Sequence, residues 1–258
     1  MSDTPLLIEE EGPIALLTMN RPDTHNAITH GDTVEAFEAA AARLNASSTI
    51  RVGILTGAGR SFSAGGDLRA MHALLDAPPE EIAQTYRRGI QRIPLAMASI
   101  RIPMIAAVNG AAIGAGLDLA CMCDIRIASD KARFAESFVK LGIIPGDGGS
   151  WFLPRILGPS KAAELSLTGD TIDAAEALRI GLVSSVVAPD ALMDAARALA
   201  GRIAANPPLA TRGTKRLLAE SQSLTLAQTL ELAANLQALC HKTAENRAAV
   251  EAFLAKAK

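Results

Sequence analysis

The sequence predicts an α/β fold with a helical C-terminal section, and three observations carry that expectation. Short apolar runs alternate with amphipathic helical segments before Ile172, the pattern of crossover units. One of those runs, "MIAAV" at residues 104–108, is continuously apolar instead of alternating, as a parallel strand buried on both faces must be. From Ile172 onward the chain is mostly Ala-rich helix, with one short strand candidate at "SSVVA" and a break at "NPP", residues 206–208. At 258 residues it stands at the upper edge of one compact domain. The expected division is a core over 1–200 and a helical section over 201–258, beginning near that break.

Each element has its own signal. Residues 6–8 and 14–19 read as strands around the turn "EEGP", a hairpin. In the helix that follows, Thr29 with Asp32 three residues later has the form of a capping box, and Val34, Phe37, Ala41 and Leu44 supply an apolar face. The strand "RVGILTG" then runs into the loop "AGRSFSAGGD". An amphipathic helix over 80–99, the strand "MIAAVNG", a Gly-rich turn, a short helical segment and the strand "IRIAS" complete the alternation.

Composition excludes several classes of function. An apolar content of 49% with 20% charged residues belongs to a soluble globular protein. Aromatics at 3% leave little for base stacking, and the net charge of -2 with scattered basic residues gives no footprint for nucleic acid. Arg101, Asn109, Asp118 and several glycines interrupt the apolar stretch 100–123, so no membrane span is expected. Three cysteines cannot build a disulfide framework and point to a reducing compartment, the cytoplasm. "CMCD" has no His or Cys partner at ligand spacing, so no metal is expected. The acidic start "MSDTPLLIEEEG" lacks the basic and apolar regions of a signal peptide and is expected to begin the mature protein.

Two glycine loops carry the chemistry: "GRSFSAGGDL" after "VGILT" and "NGAAIGAGLDLA" after "MIAAV". Both end at an expected helix start. Glycine lets backbone approach a ligand closely, and N–H groups at a helix start are unpaired, so such a pair can hold an oxyanion. Neither loop has the GxGxxG order of a dinucleotide site, and no GxxxxGK[ST] occurs.

At these loops the chain resembles the crotonase family of enoyl-CoA hydratases and isomerases. The resemblance covers nearly the whole sequence through "MNRPDTHNAI", "FSAGGDL", "IPMIAAVNGAAIGAGLDLACMCDIRIAS", "LGIIPGDGGSWFLPRILG", "LTGDTIDAAEAL" and "GLVSSVV", in the family's order. It implies a crotonase-like spiral of ββα units with a C-terminal helical trimerisation section. The implied assembly is a homotrimer or a hexamer made of two trimers. It also implies an acyl-CoA thioester substrate, with coenzyme A as part of that substrate and no separate cofactor.

In that family the thioester oxygen lies between two backbone N–H groups, which the resemblance places at Ala64 and Ala115. Fixed donors there stabilise the enolate more than the ground-state carbonyl. The resemblance also assigns Arg21, His25, Ala27, Ser63, Gly66, Asp67, Leu68, Gly114, Glu136, Phe138, Pro145 and Gly146 to the substrate site. His25 reads as a solvent-facing loop side chain rather than a catalytic one. Asp23 stands where many relatives have a Lys beside the adenine, leaving Arg21, Lys256 and Lys258 as candidate phosphate partners.

Hydratases of the family use two glutamates. Asp118 occupies the first position, where helical spacing from Ala115 returns it to the face that presents the oxyanion donor. The alternative is a cap or an ion-pair partner. Phe138 occupies the second position and cannot move a proton. Two nearby acids are candidates to replace it: Glu136, on the face of Phe138 if "FAESF" is extended, and Asp147, either catalytic or the N-cap of the next helix. Hydration of a 2-enoyl-CoA is the leading expectation; the alternatives are double-bond isomerisation and non-catalytic acyl-CoA binding.

Overall fold

A computed structural model describes residues 4–256. Lys258 and the Lys256 side chain, named above as phosphate partners, lie outside the described residues. The hairpin is β1 (Leu6–Glu11) and β2 (Ile14–Met19), antiparallel with Leu6 opposite Met19. Parallel pairing then adds β3 (Val52–Gly57), β5 (Met104–Val108), β7 (Ile125–Ser129) and β10 (Ser185–Val187), in the order β1-β2-β3-β5-β7-β10. Every residue of β3 and β5 is buried, which accounts for the unbroken apolar sequence of β5 and for Thr56, the one polar side chain of β3, donating to the Ala107 carbonyl at 2.9 Å.

After each of the three central strands the chain crosses to a second, smaller sheet before turning into helix. That sheet holds β4 (Ser61–Ser63), β6 (Ala111–Ile113), β8 (Arg133–Ala135) and β9 (Thr171–Asp173). These short strands lie in segments that the sequence presents as loops, because three residues give no periodicity to read. The result is the spiral of ββα units.

Helix α1 (Gly31–Ala46) packs Phe37 and Leu44 into the core with Leu17, Phe62, Met97 and Phe134. Thr29 does not cap it. The residue before the helix is His30, without a side-chain bond, and Thr29 Oγ1 instead accepts the Asp67 N–H at 2.9 Å. α2 (Leu68–His72) follows the first glycine loop. The single helix expected over 80–99 is two, α3 (Pro79–Arg88) and α4 (Arg92–Ser99). Gly89 ends α3, where a side chain would lie 2.7 Å from the Thr85 carbonyl oxygen.

The second loop leads into α5 (Ala115–Cys121), and α6 (Gly149–Leu157) is followed by α7 (Pro159–Thr168) and α8 (Ala174–Arg179). On the other face of the large sheet, Leu192, Ala196, Ala200 and Ala204 form one stripe of α9 (Leu192–Ala204), packed on Ile54, Ile105 and Ile127. α9 runs unbroken across residue 200, and Pro207 separates it from α10 (Pro208–Glu220). Lys215 fastens α10 to the core through Asp124 at 2.7 Å and the Ile102 carbonyl at 2.9 Å. α11 (Leu226–Cys240) and α12 (Ala244–Lys256) complete the chain. No helix among the described residues is long and apolar enough to cross a membrane.

Candidate active site

A cavity of about 470 Å³ opens between the two glycine loops, α2, α3 and the 3-10 turn Ser137–Leu141. Its wall is mainly apolar, with Met71, Leu74, Ile90, Ile113, Phe138 and Ile143 prominent. An apolar wall with few polar groups suits an acyl chain whose reacting end must be oriented.

The first loop is held from below by the turn that precedes α1. His25 and Asn26 both adopt the left-handed conformation, at φ 52° and 58°. The Asn26 side chain donates to the Ala58 and Ser61 carbonyls at 2.9 Å and accepts the Arg21 N–H at 2.9 Å. Turned in this way, the His25 carbonyl accepts the Ala64 N–H at 2.9 Å. Ala64 therefore lines the cavity with its amide already committed, contrary to the expected role as oxyanion donor.

The neighbouring amides identify the replacement. Gly65 N–H donates to Ser63 Oγ at 3.1 Å, and Asp67 N–H to Thr29 Oγ1. Among the described residues no acceptor meets the Gly66 N–H, and Gly66 lines the cavity. The same holds for Ala115 across the cleft, where the Gly114 N–H is taken by the Ala135 carbonyl at 2.8 Å. The loops touch at Gly65, at φ 82°, where a side chain would lie 2.4 Å from the Ile113 carbonyl oxygen and 2.9 Å from the Ala115 nitrogen. Only glycine allows that approach.

Three buried carboxyl groups cluster at and behind one wall of the cavity. Asp118 and Glu136 are 0% exposed and Asp147 is 2% exposed, but only Asp147 lines the cavity. Asp118 points away from the oxyanion donor into the space behind, contrary to the face expected from helical spacing. Its Oδ2 accepts the Gly149 N–H at 3.0 Å. A side chain at Gly149 would lie 2.2 Å from Glu136 Oε1 and 2.3 Å from Asp118 Oδ1, so both acids converge on that bare backbone. No other donor meets Asp118 Oδ1 or any oxygen of Glu136 or Asp147 among the described residues.

Three anions cannot share such a space without cations. Burial, then the charges of Asp147 and Glu136, push the Asp118 carboxyl well above its usual range. Burial raises Glu136 to about 7, and burial raises Asp147 as well. These shifts favour the protonated form of Asp118, from which a proton can be shared with its two neighbours.

The remaining expected residues separate clearly. Asp67, Leu68 and Gly114 line the cavity, as does Phe138, whose ring would lie 3.6 Å from a side chain at Gly114. Phe138 stands on the 3-10 turn rather than in an extended segment, so it and Glu136 do not share a face. Asp147 is not a cap: the position before α6 is Gly148, with no side-chain bond. Arg21, His25, Ala27, Ser63, Pro145 and Gly146 are absent from the lining. Arg21 is paired with Asp32 and reaches Thr33 Oγ1, His25 Nδ1 meets Ser61 Oγ at 3.2 Å, and Ser63 Oγ donates to the Asn26 carbonyl at 2.7 Å. Ala27 is buried in the turn. The Gly146 carbonyl accepts from Gln91 Nε2 at 2.7 Å, which holds the Asp147 turn against the α3–α4 junction.

Tyr86, unmarked by the sequence reading, also lines the cavity. Burial, and then the nearby charge of Asp147, raise its phenol. Its one available signal was being the single tyrosine, on an otherwise polar helix.

Comparison with known proteins places the whole chain in one family. The enoyl-CoA hydratase/isomerase family model matches residues 9–258. The crotonyl-CoA hydratase of Syntrophomonas wolfei is 37% identical over 98% of this chain and 96% of its own. The 1,2-epoxyphenylacetyl-CoA isomerase of Escherichia coli is 35% identical over 97% and 95%. A crystal structure of an enoyl-CoA hydratase/isomerase from Cupriavidus metallidurans superposes with a TM-score of 0.91 at 33% identity, covering 98% of this chain and 94% of that one. A family match over residues 9–258, relatives 35% and 37% identical over nearly the whole chain and a shared fold make this chain a member of the enoyl-CoA hydratase/isomerase family.

Proposed function

We propose that the chain is an acyl-CoA enzyme that works through a thioester enolate and hydrates 2-enoyl-CoA. The observation that carries this reading is the pair of N–H groups, Gly66 and Ala115, that no acceptor meets among the described residues, on an apolar cavity whose lining acids are Asp67, engaged by the Arg69 N–H and His30, and Asp147, whose oxygens no donor meets. In hydration, Asp147 takes a proton from water as the water oxygen bonds to Cβ. The C=C electrons move onto the thioester oxygen, held by the two N–H groups, and the enolate collapses as Cα takes the proton back from Asp147.

Isomerisation is a second reading favoured by one observation: with Phe138 in place of an acid, Asp147 is the one acid of the cavity wall that no donor engages among the described residues. Asp147 would then remove a proton from one carbon of the acyl chain and return it to another, with no water consumed. Incubation with 2-enoyl- and 3-enoyl-CoA thioesters in D2O, followed by mass analysis, separates the readings. Addition of water marks hydration, and deuterium uptake without water marks isomerisation. Binding with neither would overturn both in favour of a non-catalytic acyl-CoA carrier.

α10 and α11 contain no buried residue, and Leu226, Leu230 and Leu239 are exposed on α11. That surface supports self-association as a homotrimer or a pair of trimers, measurable by sedimentation. Three free cysteines, of which burial raises Cys121 and Cys123 to about 12, support a reducing compartment such as the cytoplasm.

A further inference from the structure

We infer that Glu136 is a positioning residue that acts through Asp118: by taking or releasing the Asp118 proton, it sets how strongly Asp147 holds its own. This rests on the reading of Asp147 as the cavity acid. The geometry is specific. Glu136 is fully buried, does not touch the cavity, and has neither oxygen met by a donor among the described residues. Its Oε1 and Asp118 Oδ1 converge on the space that a side chain at Gly149 would fill, and the Gly149 N–H holds the other Asp118 oxygen. A carboxyl kept in such a place solely for packing would be replaced at no cost by an amide, which supplies its own donor.

The groups facing this cluster can be named from each element. α5 contributes Asp118 and the Cys121 thiol, which stays neutral with its titration pushed up to about 12. The turn ahead of α6 contributes Asp147, and α3 contributes the Tyr86 phenol, which feels Asp147. Arg126 on β7 is engaged with the Leu182 and Cys123 carbonyls, at 2.6 and 2.7 Å. The acids therefore compete for protons mainly with one another.

When Glu136 is neutral, the Asp118 proton is free to bond Asp147, which favours the Asp147 carboxylate. When Glu136 ionises, it draws that proton toward itself and adds a second charge, and both effects favour protonated Asp147. The ionisation of the cavity base is thus spread over the pair, with an inflection near the Glu136 value of about 7.

Glu136→Gln tests this directly. The pH profile of deuterium uptake into a bound acyl-CoA should have its acid limb moved to lower pH by about one unit and reduced to a single ionisation. In the Asp118→Asn background, where the relay is cut, adding Glu136→Gln should move the limb much less. An unchanged limb in folded, CoA-binding Glu136→Gln overturns the proposal, and so does loss of exchange at every pH, which would make Glu136 more than a positioning group. Carbon-13 carboxyl NMR of the wild type requires no variant: a buried glutamate titrating near neutrality is expected, and its absence also overturns the proposal. Asp147→Asn keeps the two readings apart, because undiminished exchange there sinks the Asp147 assignment, whereas lost exchange there with an unmoved Glu136→Gln limb sinks only the Glu136 inference.

Discussion

Asp147 and the Asp118–Glu136 pair carry the same functional group in one cluster, but they belong to different regions of the molecule. Asp147 lines the cavity; Asp118 and Glu136, both fully buried, do not. All three carboxyls are raised, chiefly by burial, so perturbation alone does not distinguish the carboxyl on the cavity from the two behind it. Access does. A carboxyl must reach the reacting carbon before its pKa matters, and only Asp147 has that reach.

The sharpest way to break this comparison is to remove the front group. Asp147→Asn retains shape and deletes the base, and turnover on enoyl-CoA should fall by about 10²- to 10⁴-fold, the usual range for acid–base catalysis. Asp118→Asn should cost less, because it acts at one remove. Equal losses in both, measured as kcat/KM on folded protein, would erase the distinction between front and back.

The oxyanion pair tests the wall opposite. Ala115 is the first residue of α5, a position where proline fits a helix, so Ala115→Pro deletes the N–H with limited damage to the helix. Loss of about 10²- to 10³-fold is expected. Circular dichroism and CoA affinity separate this from distortion at Gly114, and full activity in a folded variant would contradict the assignment.

Much of this arrangement was legible in the sequence. The glycine loops, the buried strands and the short helix beginning at Ala115 follow from residue pattern, since an apolar run between glycines has few places to go. What failed to show was which groups are already engaged. Ala64 and Gly66 are near neighbours in one loop, and their roles separate only because the left-handed pair His25 and Asn26 turns a carbonyl from another part of the chain onto Ala64. Glu136 would share the face of Phe138 only in an extended segment; the strand stops at Ala135 and the chain tightens into a 3-10 turn, with Phe138 on the cavity and Glu136 behind it. The facing of Asp118 likewise depended on a space that Gly149 leaves open.

A smaller effect, in the opposite sense, is expected from giving the wall a second acid. Phe138→Glu places a carboxyl beside Gly114 on the cavity that Asp147 also lines. Hydration of a short 2-enoyl-CoA should rise by about tenfold, while activity that uses the aromatic face should fall. A folded, CoA-binding variant with no gain would show that a second acid is not what limits water addition.

The smallest expected effect concerns stability, and it probes the back of the site without any substrate. Glu136 has its carboxyl raised from 4.5 to about 7, with burial the main cause. Between those values the unfolded chain has released the proton and the folded chain still holds it, so stability falls as pH rises through the interval. Above the folded value the penalty is complete, on the order of 2–3 kcal/mol. Asp118 and Asp147 act with the same sign. Glu136→Gln removes one contribution, so its Tm should exceed that of the wild type by about 5 °C in mildly alkaline buffer, and the two should converge in acid below the unfolded value. Thermal melts across this range decide the matter. A variant that loses stability equally at every pH would mean that the amide packs badly and that ionisation of Glu136 costs the fold nothing; one whose advantage grows with pH would locate the strain in the buried charge.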